Sequence, residues 1–269
     1  MELTGFDVRG FLAEDVGDGD VTADAVVPPD ARLDATLLLK EDGVVCGLEV
    51  AETVFRELDP EVLFEPLAQD GDRTRGEVAR VSGSARALLA GERTALNLLG
   101  RLSGIATLTR RYVDAVAGTG TLILDTRKTT PGLRALEKLA VRTGGGTNHR
   151  FGLYDAVLIK DNHVRLGGGV AAAVRRATGT GLPVEVECET LQDVETALDA
   201  GAETILLDNM TPARLREAVG IVRGRAHTEA SGGITLETIR EVAATGVDAI
   251  SVGALTHSAR SLDVSMEVR

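Results

Sequence analysis

Residues 184–209 read VEVECETLQDVETALDAGAETILLDN, and this stretch decides the fold. Two short apolar runs, residues 184–186 and 204–207, flank a segment in which apolar residues recur at helical spacing, residues 191–200. A strand, a helix and a second strand in this order predict parallel pairing through a right-handed crossover. The stretch therefore predicts one repeating unit of a parallel α/β sheet.

The same alternation extends over the second half of the chain. Further strand-length apolar runs and helical segments occur at residues 121–124, 156–159, 226–230 and 249–252, and at residues 131–142, 169–177, 212–222 and 236–244. His227 lies inside one of these apolar runs, and we expect it in the core. Six units predict either an open doubly wound sheet or a barrel with fewer than the usual eight units.

The first hundred residues have a different pattern and predict a mixed α/β domain. Strands are predicted at residues 33–40 and 76–81 and helices at residues 47–58 and 85–117. Two glycines inside the last of these segments, Gly91 and Gly104, are expected to interrupt the helix.

Length and composition indicate a globular protein. The chain has 269 residues, of which 43% are hydrophobic and 26% charged, and no apolar run approaches the roughly 20 residues of a membrane-spanning helix. Residues 1–20 contain no basic, apolar leader, and the two cysteines, Cys46 and Cys188, form no metal or redox motif. These features predict a reduced, cytoplasmic setting.

The net charge of −12 argues, at face value, against nucleic acids, anionic membranes and anionic substrates as partners. The charge is unevenly distributed, however. Residues 1–72 carry 19 acidic and 4 basic side chains, whereas residues 127–165 carry 8 basic and 3 acidic ones and two of the four histidines. A solvated helix face is one explanation of this basic window, but half of its bases lie in loop-like sequence.

Polar or glycine-bearing groups follow each apolar run, at the edge where α/β barrels carry their chemistry. In chain order they are residues 125–128 (DTRK), residues 160–163 (KDNH), Glu187, residues 208–209 (DN), residues 231–233 (SGG) and Gly253. Ordinary helix N-caps, for which Thr190, Thr211 and Thr235 are candidates, explain only part of this pattern.

These groups favour a polyanionic ligand. Five cationic or potentially cationic side chains are expected at the barrel mouth: Arg127, Lys128, His149, Arg150 and Lys160. Arginine binds carboxylates and phosphates with two parallel hydrogen bonds, and lysine neutralises phosphate as a point charge. A salt-bridge network is the alternative, but the window holds too few acids to pair with every base. The glycine turn at residues 231–235, ahead of a predicted helix, is typical of a phosphate site.

Two carboxylates, Glu187 and Asp208, end adjacent predicted strands. They could hold Mg²⁺, ribose hydroxyls or a developing positive charge. Glycoside hydrolysis by two carboxylates is conceivable, although that chemistry does not need the cations. Carboxylates, cations and a phosphate site together fit phosphoribosyl transfer. The sequence contains no P-loop, GxGxxG, CxxC or HExxH motif, so nucleotide hydrolysis, hydride transfer and zinc chemistry lack support.

Several motifs in succession resemble the quinolinate phosphoribosyltransferases of NAD synthesis. They include residues 92–97 (ERTALN), 102–107 (LSGIAT), 125–134 (DTRKTTPGLR), 144–150 (GGGTNHR), 158–163 (LIKDNH), 184–187 (VEVE), 206–210 (LLDNM) and 230–234 (ASGGI). The likeness covers nearly the whole chain in the family order. Cys188 departs from the pattern, since Asp or Asn is expected after Glu187, and we interpret this departure as neutral.

The resemblance implies a fold, a reaction and an assembly. Residues 1–105 would form an N-terminal α/β sandwich, joined by a tail at about residues 259–269, and residues 106–258 an incomplete six- to seven-stranded α/β barrel. The family converts quinolinate and phosphoribosyl diphosphate to nicotinate mononucleotide, diphosphate and CO₂ with Mg²⁺. Homodimers or higher oligomers would place Arg93 in the neighbouring subunit's site, and no nucleic acid or membrane partner is expected.

The resemblance also implies residue roles. Arg93, Arg127, His149 and Arg150 would hold the quinolinate carboxylates, and Lys128 and Lys160 would face the diphosphate and the reacting centre. Glu187 and Asp208 would hold ribose hydroxyls and Mg²⁺, and with the two lysines they are the predicted catalytic residues. The remaining substrate-binding residues would be Thr126 and Val252, with Ser231, Gly232, Gly233, Gly253 and Ala254 at the 5′-phosphate.

Two alternatives and three residues stay open. A paralogue with another acceptor, such as the family-like proteins encoded with molybdate transport, would keep the scaffold, but intact Arg93, Arg127 and His149 favour quinolinate. A non-catalytic ligand-binding protein would not need the full set of acids, lysines and glycines. Whether His163, His257 and Lys138 touch the substrate is not decided by the sequence.

Overall fold

A computed structural model describes residues 7–269 and divides into two compact units. The first unit extends to Leu108 and includes the terminal segment Ala259–Arg269, whereas the second unit comprises Thr109–Ser258. The expected domain boundary was at residues 105–106. Residues 1–6 lie outside the described residues; they begin the predicted N-terminal domain and the segment 1–20 for which no leader is expected.

The first unit is built on an antiparallel sheet with the strand order β10-β1-β3-β2. Its strands and helices are β1 (Arg32–Val44), β2 (Leu63–Pro66), β3 (Arg73–Ser84), β10 (Val264–Val268), α1 (Arg9–Val16), α2 (Val21–Val26), α3 (Leu48–Leu58) and α4 (Ala85–Ala115). The final strand of the chain, β10, pairs with β1 along residues 35–39. Alternating residues of β1, Leu37 and Leu39, are buried in the core together with Phe55 of α3.

Helix α4 is continuous, so the expected interruption at Gly91 and Gly104 is wrong. A Cβ atom at Gly104 would overlap the carbonyl oxygen of Arg260, and one at Gly91 would crowd Phe55 and Leu58. These glycines therefore serve close approach of neighbouring chain rather than helix termination. The packing benefit outweighs the roughly 1 kcal/mol that glycine costs in a helix.

The second unit is a parallel sheet with the strand order β4-β9-β8-β7-β6-β5. Its strands and helices are β4 (Leu122–Leu124), β5 (Val157–Ile159), β6 (Val184–Cys188), β7 (Thr204–Asp208), β8 (His227–Ser231), β9 (Ala249–Ser251), α5 (Arg134–Thr143), α6 (Asp161–Leu166), α7 (Val170–Thr178), α8 (Leu191–Asp199), α9 (Pro212–Val222), α10 (Ile239–Ala243) and α11 (Ala254–His257). Each of β6 to β9 lies beside its predecessor, and β9 then pairs with β4.

This order decides between the two predicted architectures. A doubly wound sheet would reverse its strand order at a switch point, whereas here the succession runs in one direction and brings the last strand to the first. A single parallel bridge between Leu124 and Thr147 extends the other edge of β4. The sheet is therefore an incomplete barrel of six strands with a seventh position marked by one residue, which confirms the predicted fold class.

Side-chain alternation along the strands divides the barrel wall into two faces. On β6, Val184, Val186 and Cys188 are almost fully buried on one face, and Glu185 and Glu187 lie on the other. Burial raises the pKa of the Cys188 thiol to about 12, and Cys46 is also buried. The acidic face of β6 is directed into the barrel, where the candidate site lies.

Two local expectations in the second unit are wrong. His227 is exposed, because it is the first residue of β8 and lies at the edge of the sheet before the buried part of that strand. Helix α10 begins at Ile239 rather than at residue 236, because Thr235 and Thr238 exchange hydrogen bonds and hold residues 236–238 in a turn. Among residues 7–269, none of the helices combines the length and apolar character that crossing a bilayer requires.

Candidate active site

A cavity of about 850 Å³ opens at the carboxyl ends of the barrel strands. All the predicted substrate-binding residues of the second unit line it. We call Arg127, Lys128, His149, Arg150 and Lys160 its cationic half, and Ser231, Gly232, Gly233, Gly253 and Ala254 its glycine half. Thr126, Glu187, Asp208 and Val252 line the same cavity. The exception is Arg93, which belongs to the first unit.

Two arginines of the cationic half have buried donors without acceptors. The Nε atoms of Arg127 and Arg150 are buried and form no hydrogen bond within the described structure. Burial, together with the nearby charge of Arg127, lowers the pKa of Arg150. An unsatisfied buried guanidinium donor is costly unless a ligand supplies the acceptor. The pair therefore suits an anion with more than one acceptor group.

His149 is oriented by the protein through both ring nitrogens. Its Nδ1 accepts the backbone N–H of Arg150 at 2.6 Å, and its Nε2 donates to Glu185 Oε2 at 2.8 Å. Burial alone would lower the pKa of His149, but the hydrogen bond to Glu185 and the charges of Glu185 and Glu229 outweigh it and raise that pKa. In this conformation the imidazole supports the cavity wall, and a direct bond to a carboxylate would require it to turn.

Glu185 and Glu229 were not singled out from the sequence. Both are more than nine-tenths buried beside His149, whose Nε2 lies 2.8 Å from Glu185 Oε2 and 3.7 Å from Glu229 Oε2, and the Oε1 atom of each glutamate forms no hydrogen bond within the described structure. Burial, and then the charge of Glu185, raises the pKa of Glu229 to about 8, so it holds its proton at neutral pH. The sequence could have identified both residues. Glu185 lies two residues before Glu187 on β6, and Glu229 lies two residues before Ser231 on β8, so each shares the face of a predicted site residue.

The same three groups form the one cluster of three or more potential metal ligands found among residues 7–269. A ring nitrogen of His149 and one carboxyl oxygen each of Glu185 and Glu229 lie within 4.8 Å of one another. Because His149 Nε2 already donates to Glu185 Oε2 at 2.8 Å, we interpret the cluster as a buried polar support of the cavity wall.

Glu187 and Asp208 end the adjacent strands β6 and β7, as the sequence predicts. Lys160 Nζ donates to Glu187 Oε2 at 2.5 Å, and the Glu187 side chain is 9% exposed whereas that of Lys160 is 47% exposed. Asn209 Nδ2 donates to Asp208 Oδ2 at 2.5 Å. Carboxylate oxygens of this kind are the hard ligands that Mg²⁺ takes, so the donor set fits that ion.

The glycine half brings backbone, rather than side chains, to the cavity. Gly232 has φ +102°, and a Cβ atom there would collide with the side-chain amide of Asn209. At Gly253 a Cβ atom would lie 3.2 Å from Lys128 and 3.3 Å from His257. The sequence predicts that the N–H groups near Gly232 lie directly before a helix. Helix α10 begins only at Ile239, however, so these groups belong to a loop and not to a helix terminus.

The three undecided residues have distinct positions. His257 lines the cavity. His163 does not; it is exposed, and its Nδ1 accepts the Lys160 backbone N–H at 3.0 Å at the start of α6. Lys138 is 1% exposed and its Nζ donates to Asp125 at 2.6 Å. Arg93, in the first unit, lines a separate cavity of about 200 Å³ with residues 261–264.

Comparisons with known proteins agree along the chain. Residues 20–103 match the family model described as quinolinate phosphoribosyl transferase, N-terminal domain, and residues 105–267 match the model of the C-terminal domain. A relative from Bacillus subtilis, named probable nicotinate-nucleotide pyrophosphorylase (carboxylating), is 46% identical over 96% of this chain and 91% of its own. A rice relative, named the chloroplastic nicotinate-nucleotide pyrophosphorylase (carboxylating), is 43% identical over 96% of this chain and 75% of its own.

Solved structures resemble this one equally closely. A crystal structure of NadC from Streptococcus pyogenes has a TM-score of 0.93 and 43% identity, and the match covers 97% of this chain and 94% of that one. A NadC deletion mutant crystallised in a cubic space group has a TM-score of 0.96 and 42% identity, covering 99% and 97% of the two chains.

Proposed function

The chain belongs to the quinolinate phosphoribosyltransferase family, and we propose that its barrel cavity is the site of that family's reaction. The protein is an enzyme that transfers the phosphoribosyl group of phosphoribosyl diphosphate to quinolinate with decarboxylation, giving nicotinate mononucleotide in NAD biosynthesis. The observation that carries the site assignment is that one cavity combines unpaired arginine donors, two strand-end carboxylates and exposed glycine backbone.

The dicarboxylate binds in the cationic half. Arg127 and Arg150 offer buried Nε donors that have no protein acceptor, and the two carboxylates of quinolinate supply acceptors at adjacent ring positions. His149 lies in the cavity wall beside these arginines. It can contact a substrate carboxylate only if its ring turns away from Glu185. Thr126 accepts the Lys128 backbone N–H at 3.1 Å, which fixes the strand end between these cations.

Phosphoribosyl diphosphate binds across the two halves. Backbone N–H groups of Ser231, Gly232 and Gly233, with Gly253 and Ala254, receive the 5′-phosphate, and Val252 closes this side of the cavity. Lys128 and Lys160 neutralise the diphosphate, and Glu187 and Asp208 bind ribose hydroxyls. The ion pair between Lys160 and Glu187 is the contact that the arriving substrate would exchange for its own.

The chemistry follows from these placements. The lone pair of the pyridine nitrogen forms the new bond to the sugar carbon, and diphosphate leaves with the electrons of the bond that breaks. The ring nitrogen is then positive and acts as the electron sink when the bond to CO₂ breaks, and a proton replaces CO₂ on the ring. Strong binding of the carboxylate that leaves as CO₂ would oppose its loss. The hydrogen bonds between the cationic half and that carboxylate must therefore weaken as the reaction proceeds.

Magnesium is the proposed cofactor. Glu187 and Asp208 would hold it together with the oxygens of the substrate diphosphate, and when bound it would supply positive charge to the leaving group. Support comes from the donor set, which consists of carboxylate oxygens at the ends of neighbouring strands.

The proposed assembly is a homodimer or a higher oligomer in which Arg93 completes the neighbouring subunit's site. Support comes from its position on α4 of the first unit, beside a cavity with residues 261–264, while the barrel cavity draws its lining from the second unit. We also propose a cytoplasmic location, which is favoured by a sequence with only two cysteines and no metal or redox motif.

A direct assay tests the function. Purified enzyme with quinolinate, phosphoribosyl diphosphate and Mg²⁺ should release nicotinate mononucleotide, diphosphate and CO₂ in equal amounts. Turnover with a different aromatic acid but not with quinolinate would favour the paralogue with another acceptor. Tight binding of both substrates without diphosphate release would favour a non-catalytic protein. Omission of Mg²⁺, with EDTA present, should abolish turnover if the cofactor proposal is correct.

A further inference from the structure

Three basic residues lie on one face of α5 at four-residue spacing, and we call Arg134, Lys138 and Arg142 the basic row. Residues four apart in a helix lie one above the other, so three successive turns present a cation on the same side. They belong to the basic window of the sequence, yet none of the three lines the active-site cavity. Any part that they have in substrate binding must therefore act through other residues.

All three donate hydrogen bonds to residues 148–151, the segment that carries two cations of the active site. The bonds follow the chain in register: Arg142 Nη1 to Asn148 Oδ1 at 2.5 Å, Lys138 Nζ to the His149 carbonyl at 2.9 Å, and Arg134 Nη1 to the Phe151 carbonyl at 3.2 Å. Consecutive turns of one helix thus hold three residues of one short loop, Asn148, His149 and Phe151, on both sides of Arg150.

The row also holds the segment that follows β4, residues 125–130, on which Arg127 and Lys128 lie. Lys138 Nζ donates to Asp125 Oδ1 at 2.6 Å, and Arg134 Nε donates to Thr129 Oγ1 at 2.9 Å. Lys138 and Arg134 therefore each bind both segments.

Two further contacts tighten this arrangement. Asp125, which is fully buried, accepts the His149 backbone N–H at 2.8 Å and the Asn148 side-chain amide at 2.6 Å. Glu137, the neighbour of Lys138 on α5, accepts the backbone N–H of Thr130 at 3.0 Å and its hydroxyl at 2.8 Å. Both segments are thus fixed to one helix through charged groups removed from solvent.

We propose that the basic row of α5 positions the dicarboxylate substrate by fixing Arg127 and Arg150 relative to each other. The inference rests on the proposed function, which assigns quinolinate to these two arginines. Carboxylates on adjacent ring carbons are rigidly spaced, so their affinity depends on the spacing of the two cations. The glycine half receives no hydrogen bond from the row. Among the residues that we place at phosphoribosyl diphosphate, only Lys128 lies on a segment that the row holds, so the binding of that substrate should change much less than the binding of quinolinate.

A paired substitution tests the role without leaving a buried charge. Lys138→Met alone would leave the buried Asp125 carboxylate without its cation. Lys138→Met combined with Asp125→Asn removes both charges and keeps an acceptor for the His149 backbone N–H. We expect the KM for quinolinate to rise about tenfold and the KM for phosphoribosyl diphosphate to stay within about twofold. Calorimetric affinity for benzene-1,2-dicarboxylate, which lacks the ring nitrogen and cannot react, should fall by a similar factor.

Further variants keep the test decisive. Arg142→Met, at an exposed position, leaves the buried pair intact and should raise the KM for quinolinate about threefold without loss of folding. Leu215→Ala, on the buried face of α9, is the control for general destabilisation and should not separate the two KM values. An unchanged KM for quinolinate in the paired variant, or a parallel rise of both KM values, would overturn the positioning role.

A variant of the site itself separates this inference from the proposed function. Arg127→Gln should raise the KM for quinolinate strongly. If it does and the paired variant does not, the basic row has no positioning role although the site assignment stands. If Arg127→Gln leaves quinolinate binding unchanged, the assignment of the dicarboxylate to the cationic half is wrong.

Discussion

The two halves of the cavity, to which we assign the two anionic substrates, differ in how they would bind an anion. The cationic half uses long charged side chains whose carrier segments are fixed by buried ion pairs and by the Glu185–Glu229 cluster. The glycine half uses backbone, and its requirement is the absence of side chains at positions such as Gly232 and Gly253. A binding site can therefore fail through loss of a charge on one side and through addition of a single methyl group on the other.

The largest expected effect comes from the cationic half. Lys128→Ala removes a charge that we place at the leaving diphosphate, and turnover with both substrates saturating should fall by about 10²- to 10³-fold. Steady-state kinetics measures it, and Lys40→Ala, which removes an exposed lysine of β1, is the control. If turnover of the Lys128 variant equals that of the control, charge at this position does not drive the reaction.

A smaller effect is expected from the glycine half. Gly232→Ala puts a Cβ atom against Asn209 at a backbone conformation with φ +102°, so the loop must move. The KM for phosphoribosyl diphosphate should rise about tenfold while the KM for quinolinate changes little. Gly220→Ala, in α9 with open space around it, is the matched control. Equal changes in both KM values would show that the two halves are not independent.

The last effect concerns stability rather than kinetics, and it arises beneath the cationic half. The pKa of Glu229 is raised to about 8 from an ordinary value of 4.5. Between these pH values the unfolded chain releases a proton that the folded chain keeps. The free energy of unfolding should therefore fall as pH rises from about 4.5 to 8, by at most about 1.4 kcal/mol per pH unit.

Denaturant titrations across that pH range measure this slope. Glu229→Gln removes the titrating group and should flatten the dependence, whereas Glu217→Gln, at an exposed site on α9, should leave it intact. A slope that survives in the Glu229 variant would mean that another group keeps the proton.

Much of this architecture could be predicted from the sequence, because the barrel units are local. Each apolar run with its helix is specified within about thirty residues, and the chemistry-bearing residues follow the strand ends in order. The pattern at residues 184–209 correctly predicted β6, α8 and β7. Glu187 and Asp208, which it predicted at the strand ends, line the cavity.

The errors arose where distant segments meet. Gly104 was expected to break α4, but its role depends on Arg260, more than 150 residues further along the chain. The sequence alone did not show whether Lys138 lies at the surface or in the interior, because its burial depends on Asp125 and on the loop at His149. The inward position of Glu185 and Glu229 could have been predicted, because strict alternation on β6 and β8 puts both residues on the inner face of the barrel.

The pairing of β10 with β1 has a consequence for synthesis on the ribosome. The first unit combines residues that precede the barrel in the chain with Ala259–Arg269, which follow it, so its sheet lacks the strand β10 until the barrel has been synthesised. Until then the edge of β1 at residues 35–39 has backbone N–H and C=O groups without their partner strand, and such an edge can pair with other chains. The first unit therefore begins to be synthesised before the barrel but can complete its sheet only after it.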